Sequence, residues 1–119
     1  MSDWIEVAAV EDFLPGTFRI AETDDIPIAV FNLDGHYFAI ENHCTHEKAE
    51  LSDGTLEGDE IVCPLHGARF SVVTGASLTP PAYENLRTFP VRVTNGWVEV
   101  DAELEWDTSL NVLSDNYLV

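Results

Sequence analysis

Basic residues are scarce in this chain: its 119 residues hold five Lys and Arg against 22 Asp and Glu, a formal net charge of −17. Such an excess of anions repels nucleic-acid phosphates and anionic lipid head groups, so neither nucleic acid nor membrane is expected as a partner. Long apolar runs are missing too. The longest, such as "PIAVF" at 27–31, fall far short of the ~20 residues a membrane-spanning helix needs. The opening "MSDWIEV" lacks the basic and then apolar pattern of an export signal, which points to the cytoplasm. Cysteine is down to two residues; in a reducing compartment a pair of thiols is more often a metal or redox site than a disulfide. Gly and Pro, at 7 and 6, stay below low-complexity levels. A chain of this length fits one domain with its own core and leaves no room for a second, catalytic one.

What the chain does have is the rhythm of an antiparallel all-β domain. "PIAVFNLDGHYFAIE" places two apolar, β-branched and aromatic runs around Asp34-Gly35, and "FPVRVTNGWVEV" does the same around Asn95-Gly96. Both dipeptides favour tight hairpin turns. "WIEVAAV", "GTFRIAE", "GDEIVC" and "ARFSVV" add strand-like runs separated by Gly, Pro and Asp, while "VEDFLPG" reads as a helical turn at most. No repeat or linker divides the chain. The tail 101–119 is acidic, with Asp101, Glu103, Glu105, Asp107 and Asp115 and no basic residue, yet Trp106, Leu110, Leu113, Tyr117 and Leu118 give it something to bury. It is expected to be an irregular segment packed on the sheet.

Chemistry concentrates where this pattern breaks. "HCTH" at 43–46 follows the first hairpin and "CPLH" at 63–66 follows "GDEIV", so both cysteines and three of the four histidines fall in two loops. The sixteen residues 47–62 between them suffice to run out and back, bringing four N and S donors together at one end of a sheet. A thiolate and a neutral imidazole are good ligands for iron or zinc. Pro64 stiffens the second loop, and Gly67 lets its backbone turn sharply or pass close to a bound group. A lone Cys is usually a small buried hydrophobe and a lone His a surface residue, but four together are poorly explained that way. Zinc competes: structural zinc sites do use two Cys and two His, usually as a Cys pair followed by a His pair. Mixed halves favour a cluster with unlike irons. His43, adjacent to Cys44, and His36, beside the Asp34-Gly35 turn, are not expected to be ligands.

These residues resemble the signature of the Rieske iron–sulfur family, C-x-H, a spacer, then C-x-x-H, matched by "CTH" and "CPLH". The resemblance extends to "HGARFSVVTG" and to the proline-containing "LTPPA", which in the family closes over the cluster as a third loop. It implies a Rieske fold of antiparallel sheets over one domain, 1–119, with a cluster-binding subdomain at 43–82 inserted in a basal β domain. It also implies one [2Fe–2S] cluster, with Cys44 and Cys63 on one iron and His46 and His66 on the other. Exchanging two Cys for two His raises the potential above that of an all-Cys cluster. Quinol-oxidising members of the family carry an additional cysteine in each loop, where this chain has Ala49 and Leu65, and Ser and Tyr where it has Ala68 and Phe70. Ring-hydroxylating oxygenases need a further iron domain that does not fit. What remains is similar to the small ferredoxins of aromatic-ring dioxygenase systems, non-catalytic carriers that move one electron from a flavin-dependent reductase to a terminal oxygenase. The alternatives are a small subunit of an assimilatory nitrite reductase and a zinc-stabilised interaction domain. Glu41, Glu47, Glu50, Asp53, Glu57, Asp59 and Glu60 flank the ligands against Lys48 alone, which suits a basic partner face.

Overall fold

Asp34-Gly35 and Asn95-Gly96 both adopt the left-handed backbone of a two-residue hairpin turn, with φ of 56° and 89° in the first and 52° and 80° in the second. The computed structural model describes residues 4–23, 26–43, 50–64, 67–79 and 84–102. In chain order the strands are β1 Trp4–Ala9, β2 Phe18–Ala21, β3 Ile28–Leu33, β4 His36–Glu41, β5 Thr55–Glu57, β6 Glu60–Val62, β7 Arg69–Ser71, β8 Thr88–Phe89, β9 Val91–Thr94 and β10 Trp97–Asp101. One-turn 3-10 segments lie at Val10–Asp12, within the expected helical turn, and at Leu51–Asp53. No helix among the described residues is long and apolar enough to cross a membrane.

The strands form three antiparallel sheets, ordered β1-β10-β9, β2-β3-β4-β8 and β5-β6-β7. Strand β3 explains how they stack. Its Ala29 and Phe31 belong to one buried cluster with Ile61, Phe70 and Val72, while Ile28 and Val30 belong to another with Val98 and Val100. The central sheet is therefore covered on both faces, by β5–β7 on one side and by β1, β9 and β10 on the other. A strand buried on both faces reads as an unbroken apolar run, which is why "IAVF" shows no alternation. Edge position does the opposite: on β9, Val93 stays half exposed.

Two sequence expectations change here. Asp101 does not open an irregular tail but ends β10, paired with Trp4 and nearly buried, with its N–H donating to the Pro90 carbonyl at 2.9 Å. Ala102 packs against the cluster that holds Val98 and Val100, and the rest of the expected tail, 103–119, lies outside the described residues. Strand β5 was not expected from "TLE", whose three residues carry too little pattern to read.

For the site, the useful fact is direction. The β3–β4 turn and the β5–β6 turn lie at one end of their sheets, and a cleft of about 330 Å³ there is lined by Leu33, Asp34, Leu56, Gly58 and Asp59. The residues that follow Glu41 of β4 and Val62 of β6 leave from the opposite end.

Candidate metal centre

Cys63 comes directly after β6 and is 2% exposed, in a wall formed with Leu51, Ile61, Ala68 and Phe70. Its backbone closes the second loop. The Cys63 N–H donates to the Ala68 carbonyl at 2.7 Å, and the Cys63 carbonyl accepts from the Gly67 N–H at 3.1 Å. Gly67 makes that turn at φ 74°, a conformation that L side chains adopt only with strain. Strand β7 then continues the pairing, with Arg69 opposite Val62. The root of the 63–68 segment is thus closed by backbone bonds at Cys63, Gly67 and Ala68.

Of the four candidate ligands, Cys63 is the one that the structure describes; Cys44, His46 and His66 lie outside the described residues. Among the described residues no group of three or more His, Cys, Asp or Glu is placed to hold a metal. The fit to an iron–sulfur group is nonetheless testable on Cys63 itself. It is free of a disulfide and buried, and a soft sulfur donor shielded by an apolar wall suits an iron–sulfur group. The donor types and the backbone-closed loop root fit the group.

The excluded histidines also have places. His43 is exposed, in a shallow 280 Å³ depression with Ile26, Pro27 and Glu41. His36 sits opposite Leu33 at the β3–β4 turn, roughly 17 Å from Glu41 by strand rise and at the wrong end of the sheet.

Several framing residues escaped the sequence reading. Asn42 is 1% exposed; its Oδ1 accepts from the Ser52 N–H at 2.8 Å and its Nδ2 donates to Ser52 Oγ at 2.9 Å. Gly54 packs so closely on β6 that a Cβ there would overlap the Val62 carbonyl oxygen. The chain before Pro80 is tied to β7: the Arg69 N–H donates to Thr79 Oγ1 at 2.9 Å, and the Leu78 N–H donates to the Arg69 carbonyl at 2.8 Å. The Arg69 side chain pairs with Glu57 at 2.9 Å and Glu60 at 3.2 Å, and those hydrogen bonds, Glu57 first, push its already high pKa further up. Nothing in the types Asn, Ser and Gly marks them out, since each is also an ordinary turn residue.

Comparison with known proteins adds three findings. A family model described as the Rieske [2Fe–2S] domain matches residues 3–90. The ferredoxin component of the naphthalene 1,2-dioxygenase system of Pseudomonas putida is 42% identical over 98 residues, covering 82% of this chain and 94% of that protein. Among solved structures, a chain from the complex of reduced oxygenase and oxidized ferredoxin in carbazole 1,9a-dioxygenase superposes with a TM-score of 0.83 at 40% identity, covering 88% of this chain and 98% of that one. A provisionally assigned NADH-dependent nitrite reductase small subunit from Mycobacterium tuberculosis shares the fold, with a TM-score of 0.75 at 24% identity and coverage of 88% and 99%.

Proposed function

This chain belongs to the Rieske [2Fe–2S] domain family, and from that premise we propose that it is the one-electron carrier of an aromatic-ring dioxygenase system. The observation that supports this most is extent. The similarity runs over 94% of a stand-alone ferredoxin component at 42% identity, so the resemblance is to an entire carrier and not to one domain of an oxygenase. The nitrite reductase reading has only a shared fold behind it, and family membership displaces zinc.

In this reading Cys44 and Cys63 hold one iron, and His46 and His66 hold the other. When bound, the cluster accepts and releases one electron. The chain's own part is to fix the ligands, keep water from the sulfur side and present a docking face. Leu51, Ile61, Ala68 and Phe70, all buried, exclude water beside Cys63. The backbone bonds at Cys63, Gly67 and Ala68 close the root of the segment that carries the second ligand pair. The assignment of 43–82 as a cluster-binding subdomain within a basal β domain belongs to the same proposal; β5, β6 and β7 fall inside those limits and, among the described strands, form a sheet of their own. So does a cytoplasmic location. The partners are a flavin-dependent reductase as donor and a terminal ring-hydroxylating oxygenase as acceptor.

Reconstitution tests the proposal. The purified protein should contain two irons and two sulfides, accept electrons from a flavin-dependent ferredoxin reductase with a nicotinamide, and support product formation by a terminal oxygenase. Iron-loaded protein that is reduced but never passes its electron to such an oxygenase would refute the assignment.

A further inference from the structure

Loop 63–68 is closed at its root by backbone bonds, and the chain before Pro80 is tied to β7 by Thr79 and Leu78. The span 43–51, which carries Cys44 and His46, is bracketed differently. Its two flanking residues, Asn42 and Ser52, are ten apart in sequence and are joined through the Asn42 side chain, which accepts from the Ser52 N–H at 2.8 Å and donates to Ser52 Oγ at 2.9 Å. The Asn42 N–H donates in turn to the Pro27 carbonyl at 2.8 Å, which anchors the pair beside the base of β3. Next to Ser52, Leu51 is fully buried in the same cluster as Cys63. One node therefore ties the root of the first ligand-bearing span to the wall of the second.

Burying an amide is unfavourable unless its polar atoms are paired, and an apolar side chain of similar size would fill the space at no such cost. What the amide adds is direction: both partners must sit at fixed distance and angle. Joining the two ends also removes much of the freedom the intervening span would otherwise have. We propose that Asn42 and Ser52 are positioning residues that hold the 43–51 span in register for ligation, so that the clamp governs cluster retention. This rests on the cluster reading above.

The fold provides its own control. Asn32 is 2% exposed and likewise makes two side-chain bonds, donating to the Phe13 carbonyl at 2.7 Å and accepting from the Gly35 N–H at 2.7 Å. It lies at the opposite end of the same sheet. A substitution there removes a buried Asn of equal kind without touching the ligand loops.

The experiment measures loss of visible absorbance from the loaded protein in excess iron chelator, alongside urea unfolding and the electron-spin spectrum. Asn42→Ala should speed cluster loss by about tenfold or more, the scale seen when groups that orient metal ligands are removed. Ser52→Ala, which keeps the backbone bond, should speed it less, and Ser52→Thr, which restores the hydroxyl, should return toward the wild-type rate. Asn32→Ala should lower the urea midpoint while leaving the loss rate and spectrum as in wild type. Equal acceleration by Asn32→Ala and Asn42→Ala would reduce the clamp to general stability and overturn the inference. So would an unchanged rate in Ser52→Ala, a variant mild enough to fold if Asn42→Ala does not. Wild-type protein without iron and sulfide would overturn the cluster reading itself, a result distinct from loss rates that fail to separate.

Discussion

Ala68 and Phe70 are fully buried in the same cluster as Cys63, two and four residues after His66, and neither can donate a hydrogen bond from its side chain. A hydroxyl donating to a cluster sulfur favours the reduced, more negative state and so raises the potential. Lacking both, the protein should have a midpoint in the lower part of the Rieske range, nearer ~−150 mV than ~+300 mV. Ala68→Ser and Phe70→Tyr should each shift it upward, by ~59 mV if the new bond favours reduction by ~1.4 kcal/mol. Direct electrochemistry at fixed pH checks this, and a midpoint well above zero in the wild type contradicts the carrier assignment. Urea unfolding adds a second measure, because a buried hydroxyl that finds no sulfur costs about 1–3 kcal/mol. Ligation is tested by contrast: His66→Ala should lose iron and visible absorbance, whereas His43→Ala should keep both, since His43 is an exposed residue outside the signature. The family was legible because Cys and His are rare and the spacing of "CTH" and "CPLH" is specific. Asn42 was not, because its meaning comes from a partner ten residues away whose approach no local pattern announces.

Hairpins were the most legible elements, and the reason is visible in the backbone. Asp34, Gly35, Asn95 and Gly96 all have positive φ, a requirement that few residue pairs meet, so the dipeptides nearly determine the turn. Strand pairing between distant segments was not legible: β1 joins β10 across most of the chain, with an irregularity between Glu6 and Ala8, and a period-two pattern says which face is buried but not against what. The split into three sheets follows from that unread pairing. Glycine shows the same contrast. Gly58 has φ 63° and open space around its Cα, while Gly54 has an ordinary backbone and no room for a Cβ against the Val62 carbonyl. Gly58→Ala should therefore cost about 1 kcal/mol, the price of a left-handed L residue. Gly54→Ala should cost about 3 kcal/mol or more, because β6 or the Leu51–Asp53 turn must move to relieve the overlap. Since Val62 precedes Cys63, Gly54→Ala should also lower iron content, which Gly58→Ala should not; urea midpoints and iron assays on the two purified variants decide it.

At the scale of the molecule, a charge of −17 makes encounter with a basic face fast and salt-dependent, and the structure sorts which acids matter. Glu57 and Glu60 face each other across the β5–β6 hairpin and share Arg69. Asp59 lies in the turn of that hairpin, at the end away from Cys63. Glu41 accepts the Arg87 N–H at 2.7 Å, while Glu50 and Asp53, in and just after the 43–51 span, are both exposed and so are free to meet a partner near the ligand-bearing segment. Raising ionic strength from ~0.01 M to ~0.15 M shortens the Debye length from ~30 Å to ~8 Å, so the second-order rate of electron transfer to the oxygenase should fall over that range. Glu50→Gln with Asp53→Asn should lower the rate at low salt and flatten its salt dependence. Glu11→Gln is the control: it is exposed, two residues before Phe13, whose carbonyl accepts from Asn32 at the end of the central sheet away from Glu41. Because all three substitutions reduce net charge, a rate set by total charge would respond to Glu11→Gln about as much per charge as to the pair. A rate set by a docking face at the ligand end would respond to the pair alone, and stopped-flow measurement across a salt series separates the two.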